Sequence, residues 1–566
     1  MQLSKEEYQS LEDIVGPDYI TSEPVIMDTY NQVWGNKFFF DQKHSVRPAA
    51  VLLPAGAGEI SRVIKVCNKY GIIFKAFSSG FEYLSLSLMH RKGILFDLRR
   101  MDRIIEIDAT NMRAVVEPYV SVYRLQLEAA KHGLYTGRIG VGYSAGVIAA
   151  ECCHHGCQHT MVFTSGYGRN TLGVEWVLPT GEILELGTGE YGCDLFSADG
   201  PGFSLRGILR GRTGANGGHG VITRASVKLY PWYGPAEWEQ KKQPDEAPSK
   251  GQLDAVPEGY KVFVPSFKNI DDTLSASEDL CRAEILYAFG IAIVGTAPFS
   301  EGNDEEWAMM QEMMKQVEMD PDPASGASIA NSVVCVIGYR TPGELAYREK
   351  CLKTVVAKWD GRYDPGLNEP RTLARAFADI IWSNGVNLRA TGDFLPSSSS
   401  PDGSPAMLKT LALREAEIKK RYEQQGAFLT LGSGARMVSW RPEENLSIGA
   451  QGISTAQYDP YDPESLRAAR EFINELFDPR GEFKRFGVPS RGGCLQIEPV
   501  THIHQNWGPL YDNYDKWLMK LKKMLDPNTV GDWTAYIPPE YPDYAKDGDY
   551  VLPSYGLPEY PEKPAG

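Results

Sequence analysis

The chain has 566 residues, of which 42% are hydrophobic, 23% charged and 11% aromatic. That length is several times the commonest domain size and the composition is that of a folded enzyme, so a fibrous chain or one disordered over most of its length is excluded. With 58 basic against 73 acidic residues the formal charge is −15, which opposes nucleic acid and anionic membrane surfaces as partners.

The N-terminal residues Met1 to Glu7 lack the basic-then-apolar order of a secretory signal. From Pro48 to Pro231, β-rich runs alternate with helical patterns. Ala50 to Leu53 predicts a short strand, and the spacing of Ile60, Val63, Ile64 and Cys67 predicts a helix between Gly58 and Gly71. Ile72 to Phe77 predicts a strand ending in the turn Ser78-Ser79-Gly80. Gly93 to Leu98 and Ala114 to Glu117 predict two more strands, and Val122 to His132 a helix that stops at Gly133. Val174 to Leu178 and Glu182 to Leu186 flank Pro179-Thr180-Gly181 as a hairpin, and Val221 to Leu229 is the last strand before Pro231.

Glu239 to Glu258, dense in Lys, Gln, Asp, Glu and Pro, predicts a linker or long surface loop. The longest nearly apolar run, Ile285 to Ala297, has 13 residues, too few for a membrane span of roughly 20. Pro396 to Ser404, with four consecutive serines, predicts a mobile loop. Leu466, Ala469, Ile473 and Leu476 mark one face of a helix over Glu464 to Phe477. Tyr514, Trp517, Leu518, Leu521 and Leu525 make another stripe, ending at Asp526-Pro527-Asn528, and the tail from Tyr541 is rich in Pro, Tyr and Asp. No internal repeat is present. Nine cysteines, including the adjacent pair Cys152-Cys153, do not make a disulfide framework, so a reduced cytoplasmic protein without a membrane span is expected.

Neither a P-loop nor a G-x-G-x-x-G after a first strand occurs, so a Rossmann nucleotide site has no support. Instead, small-residue turns follow several strands: Ser78-Ser79-Gly80, Ser144-Ala145-Gly146-Val147, and the glycine-rich run Gly211 to Val221. Small residues let backbone N–H groups approach a pyrophosphate, and they also simply make turns. The segment from Cys152 to His159 holds six potential metal ligands in eight residues. One short segment cannot wrap a tetrahedral ion, and no second ligand pair of that spacing occurs, so no metal is assigned; polar lining of a site and plain packing stay open.

The order of these blocks resembles the FAD-binding domain of the vanillyl-alcohol oxidase/p-cresol methylhydroxylase (PCMH-type) flavoprotein superfamily. The resemblance runs from Arg47-Pro48 and Val51-Leu52-Leu53-Pro54 through Ser78-Ser79-Gly80, Leu95 to Met101, Val115 to Pro118, Gly146 to Ala150, Tyr167-Gly168 and Val177 to Glu182, to Gly220-Val221-Ile222-Thr223. Leu521 to Asn528 is similar to that superfamily's C-terminal element, which returns to the flavin domain. The matched blocks cover about a third of the chain.

The resemblance implies an α+β fold, a two-subdomain FAD-binding domain over 1–233 (core 47–231), an α+β cap over 234–505, and a returning segment over 506–566. It implies FAD held by Pro54, Ser78, Ser79, Gly80, Phe81, Glu82, Ser144, Gly146, Val147, Ala150 and Gly156, with Gly220 and Val221 at the nucleotide end. Glu82 is a departure, since a carboxylate beside a pyrophosphate repels it unless it points away. The segments matching the family's covalent tethers, Ser78 to Glu82, Gly137 to Gly142 and Leu431 to Trp440, lack His and Cys. Non-covalent FAD is therefore expected, with Cys153, His154 and His155 as outside candidates for a tether.

Tyr83 falls where phenol-oxidising members keep a tyrosine, though it is one of 29 and packing is an equal reading. His155, beside the expected flavin site, and the pair His502 and His504, on one face of an extended segment, are the candidate catalytic imidazoles; a structural role for the pair is an equal reading. The expected activity is transfer of hydride from an alcohol or alkylphenol-type C–H bond to flavin N5, with a small-molecule substrate. A D-2-hydroxy-acid dehydrogenase is the alternative within the fold, although its Gly-Asp-Gly-Asn-x-His string is absent. An FAD-poor structural subunit of a redox complex is the alternative from another class. An electron-acceptor protein and a homo-oligomer stay open as partners.

Overall fold

The structure is a computed structural model. It describes residues 2–30, 47–79, 93–137, 145–153, 160–164, 170–187, 195, 204–210, 218–237, 255–291, 331–382, 395–399, 414, 418, 421–422, 425, 436–440, 450–456, 462–477 and 514–532. Most of the expected linker and all of the tail from Tyr541 lie outside these residues.

Strands are numbered in chain order. The first sheet holds β1 (Ile20–Thr21), β2 (Ala50–Leu52), β3 (Ile73–Phe77) and β4 (Gly93–Asp97) in the order β1-β2-β4-β3. β2 and β3 both run parallel to β4. Parallel strands need a crossover, and the helix Ala57–Tyr70 between β2 and β3 supplies it. Its predicted face, Ile60, Val63, Ile64 and Cys67, is wholly buried in the core of this sheet. Gly71 ends the helix in the left-handed conformation at φ 64°, its N–H returning to the Cys67 carbonyl. The helix Lys5–Val15 packs on the same core through Leu11 and Val15. It is absent from the predicted elements, although Ser4 and Glu7 form a capping box at its start.

The second sheet is antiparallel throughout. It contains β5 (Ile104–Asp108), β6 (Arg113–Val116), β8 (Thr171–Val177), β9 (Ile183–Leu186) and β10 (Val221–Lys228) in the order β5-β6-β10-β8-β9. The predicted hairpin is β8–β9, with Gly181 at φ 87° in its turn. A two-residue strand, β7 (Leu134–Tyr135), pairs with Tyr230–Pro231. The helix Val122–Ala130, capped by the Ser121 hydroxyl, covers this sheet through Val122, Leu125 and Ala129.

Beyond Pro231, Val333–Gly338 forms the centre of a three-stranded antiparallel sheet between Tyr260–Phe263 and Ala288–Ile291. The helices Ile270–Arg282 and Pro342–Lys358 pack on it through Leu280, Leu352 and Val356. Two features of the sequence reading are overturned here. Pro396 to Ser399, part of the predicted mobile loop, belongs to the strand Leu395–Ser399, which pairs with Ala450–Ala456 and sets Pro396 opposite Thr455. It lies at the sheet's edge, where proline costs least, and hydrogen bonds from a strand remote in sequence override a composition poor in strand formers.

The second correction concerns the helix Tyr514–Leu525. Trp517, placed in its apolar stripe, is 61% exposed, whereas Lys522 is wholly buried. The lysine has fixed acceptors inside, and the indole does not need to be covered. After this helix the chain rejoins the first sheet at its β3 edge. Phe74 N–H donates to the Val530 carbonyl at 2.7 Å and Asp532 N–H to the Phe74 carbonyl at 2.8 Å.

Candidate functional site

β2 and β3 run in the same direction, so their carboxyl ends share one edge of the first sheet. Pro54 stands buried just past the end of β2, and Ser78-Ser79 follow β3 half-buried. The segment 145–147 comes to the Ser78-Ser79 turn. Gly146 N–H donates to Ser79 Oγ at 3.0 Å. The same segment is laced to the loop after β6, with Val122 N–H on the Ala145 carbonyl at 2.9 Å and Val147 N–H on the Val120 carbonyl at 2.8 Å. Three chain segments therefore meet through backbone and serine hydroxyls.

The approach at Gly146 is close. A Cβ there would stand 2.7 Å from the Pro118 carbonyl oxygen and 3.3 Å from Ser78 Oγ. The need for glycine at this position is thus set by protein packed against protein, a reason that the turn chemistry alone did not disclose. Val147 and Ile148 point into the second sheet's core, so at Val147 the backbone is the part left to face a ligand. Ala150 N–H closes onto the Gly146 carbonyl at 2.9 Å, and Ala149–Cys153 winds as a π-helical turn. Such turns are rare and concentrate at functional sites.

Gly220 and Val221 open β10. Gly220 has φ 113°, and a Cβ on it would lie 2.2 Å from the Val177 carbonyl oxygen. Val221 is 1% exposed and joins the first sheet's core. No hydrogen bond among the described residues joins this pair to Ser78, Ser79 or Gly146; both groups are instead connected through the C-terminal segment 530–532. Gly80, Phe81, Glu82, Tyr83, Ser144, His155, Gly156, His502 and His504 lie outside the described residues.

His219, which sequence reasoning passed over inside a glycine-rich run, is buried beside this pair. Its carbonyl accepts the Trp176 indole N–H at 2.8 Å. Burial pushes its imidazole down to about 3, and the nearby Lys522 ammonium adds to the effect, so the ring is neutral at physiological pH. Its Nδ1 is buried with no hydrogen-bond partner. A buried imidazole between glycines leaves no periodic signal that could have singled it out.

Cys152, from the Cys/His-rich segment, is 2% exposed and its Sγ lies 3.5 Å from Thr171 Oγ1, so this member of the segment packs in the core. Among the described residues, no group of three or more His, Cys, Asp or Glu is placed to hold a metal ion. No described helix is long and apolar enough to cross a membrane.

The Ser78-Ser79/Gly146 contact suits a dinucleotide pyrophosphate. It offers two half-buried hydroxyls and close-packed main chain, and no carboxylate stands among residues 78–79 and 145–150. No side chain of residues 78–79 and 145–150 carries a charge that would repel an anion, and Glu151, the next residue of the π-helical turn, is buried.

Residues 48–187 match the FAD binding domain family. A protein of Mycobacterium tuberculosis (strain ATCC 25618 / H37Rv), named an uncharacterized FAD-linked oxidoreductase, is 29% identical over 192 residues, covering 33% of this chain and 38% of the relative. The glycolate oxidase subunit GlcD of Bacillus subtilis (strain 168) is 24% identical over 242 residues, covering 43% of this chain and 44% of the relative. The chain thus matches less than half the length of either relative. In fold, it is similar to p-cresol methylhydroxylase with substrate bound, at TM-score 0.67 and 17% identity, covering 95% of this chain and 98% of that one.

Proposed function

We propose that this chain, whose residues 48–187 are an FAD binding domain and whose fold is the α+β fold of the PCMH-type FAD-linked oxidoreductases, takes hydride from an alcohol or alkylphenol-type C–H bond. The observation that carries the reading is the meeting of Ser78-Ser79 with Gly146 inside the stretch that matches the FAD binding domain. Bound FAD would supply the hydride acceptor at flavin N5. The rest of the work falls to the chain. Ser78 to Glu82, Ser144 to Ala150 and Gly156 hold the pyrophosphate and flavin, Pro54 borders them, and Gly220 and Val221 hold the nucleotide end through their backbone. Tyr83 orients the substrate hydroxyl, and an imidazole among His155, His502 and His504 takes its proton.

The division into 1–233, 234–505 and 506–566 follows the same reading, with the second segment covering the flavin and the third returning to it. FAD is held without a covalent bond. A reduced cytoplasmic setting, an electron-acceptor protein and a homo-oligomer belong to the same reading.

The likeness to the Bacillus subtilis glycolate oxidase subunit favours a second reading, oxidation of a D-2-hydroxy acid. One experiment separates the two. The purified protein is mixed anaerobically with 4-alkylphenols, benzylic alcohols, glycolate and D-lactate while the visible flavin absorbance is followed. Bleaching by the phenols or alcohols alone supports the first reading, and bleaching by the hydroxy acids alone replaces it with the second. Protein that carries no flavin and takes up none when FAD is added would favour a structural subunit.

A further inference from the structure

We infer that the buried Lys522–Asp526 pair couples docking of the C-terminal helix to FAD binding, by holding together the strand that ends in Ser78-Ser79 and the loop that ends in Gly220-Val221. The inference rests on the reading that those two places touch the cofactor.

Both side chains are 0% exposed, and Lys522 Nζ stands 2.7 Å from Asp526 Oδ2 one helical turn away. Nζ also donates to the Gly218 carbonyl at 2.7 Å and to the Gly531 carbonyl at 3.2 Å. Three N–H groups thus meet three acceptors, which is how a buried ammonium can be tolerated. Asp526 is satisfied in turn. Its Oδ1 accepts Val530 N–H at 2.9 Å and its Oδ2 accepts Gly531 N–H at 2.8 Å. The carboxylate therefore shapes the turn that sends residues 530–532 along β3.

The two ends of this latch reach different candidate cofactor segments. Residues 530–532 hydrogen-bond on both sides of Phe74, and β3 runs from there to Ser78. Gly218 lies two residues before Gly220. A Cβ on Gly531 would stand 1.9 Å from the Gly218 carbonyl oxygen, and one on Gly218 would stand 2.5 Å from the Asp532 carbonyl oxygen. Backbones this close cannot move independently. If helix 514–525 lifts away, Gly218 loses its ammonium donor and β3 loses its edge partner together. A ligand that needs both segments in place must then bind the docked form more tightly, and by reciprocity must stabilise docking. Lys522 and Asp526 act as positioning residues here, since both side chains are wholly buried and spend their hydrogen bonds on each other and on the backbone of 218 and 530–531.

The test is amide hydrogen exchange on the full chain, stripped of FAD and then reloaded, together with FAD affinity. On reloading, amides of 514–532 should gain protection along with those around 78–79 and 218–221. Lys522→Met should weaken FAD binding about tenfold or more and abolish the gain over 514–532. Lys523→Met, at an exposed position of the same helix, should change neither quantity. If 78–79 and 218–221 gain protection while 514–532 does not, the coupling is wrong although the cofactor placement stands. A folded Lys522→Met protein with unchanged FAD affinity overturns it equally. Should that variant fail to fold, the wild-type exchange comparison decides alone. If FAD protects neither 78–79 nor 218–221, or does not bind, the functional reading fails and this inference with it.

Discussion

His219 shows what one buried side chain does to the whole stability curve. Its folded imidazole is held at about 3, below the ordinary value near 6.5, with Lys522 as the facing cation. Above about pH 6.5 the ring is neutral in both folded and unfolded chains and pH has no effect through it. Between about 6.5 and 3 only the unfolded chain takes the proton, so stability falls as pH falls, by about 1.4 kcal/mol per unit. Urea midpoints at pH 7 and pH 5 should therefore differ by more in the wild type than in His219→Gln, which cannot titrate. Equal differences in the two proteins would show that the ring is solvated. At Gly220 the residue-scale constraint is steric. With φ 113° and the Val177 carbonyl 2.2 Å from where a Cβ would sit, Gly220→Val should lower the unfolding free energy of FAD-free protein by about 3 kcal/mol or more. Loss of FAD in this variant follows from a displaced strand start rather than from a blocked cofactor, and a denaturant melt of the apo-protein distinguishes the two.

At the scale of elements, periodicity and caps carry most of the local structure. The helix Ala57–Tyr70 was legible because Ile60, Val63, Ile64 and Cys67 repeat at helical spacing and Gly71 stops it. Truncating one of these, Ile64→Ala, should cost about 2–5 kcal/mol in a urea melt, since the side chain is wholly buried in the core that the first sheet shares with the N-terminal helix. The Ser121 cap is a smaller term. Its hydroxyl accepts Arg124 N–H at 3.2 Å, and Ser121→Ala should cost about 1 kcal/mol, provided its exposed geometry is kept. The element that defied its composition is Leu395–Ser399. Serines and a proline read as a loop, yet a free backbone edge on Ala450–Ala456 accepted the segment as a strand.

For the whole molecule, the cofactor reading predicts that acid precipitation releases all the yellow colour into the supernatant. Colour retained in the pellet would point to a tether at Cys153, His154 or His155. An aromatic cluster also joins residues from either side of the 239–258 segment. Tyr135 and Trp232 from before the linker stack at 5.8 Å, and Tyr260 and Tyr287 beyond it meet at 5.1 Å, with Tyr135 and Tyr287 joined at 5.6 Å. Burial raises the phenols of Tyr260 and Tyr287, which keeps both hydroxyls protonated. Tyr287→Phe keeps the ring but removes the hydroxyl that donates to the Pro231 carbonyl at 3.2 Å, and should cost about 1 kcal/mol in a thermal melt.

The sequence by itself determined most of the longer strands and helices of residues 48–231, though not the strand Ile104–Asp108, together with the hairpin at Pro179-Thr180-Gly181 and, through the order of its small-residue turns, the FAD-binding resemblance. These are local quantities, set by side-chain period and by backbone freedom at glycine. Tertiary structure alone decided that Gly146 meets Ser79, that Lys522 is inside and Trp517 outside, and that residues 530–532 extend the first sheet beside β3. Each of those depends on a partner far away in the chain. A buried lysine looks like any surface lysine until the carbonyls of Gly218 and Gly531 are brought to it, because hydrogen-bond satisfaction is a property of the assembled fold and not of the residue.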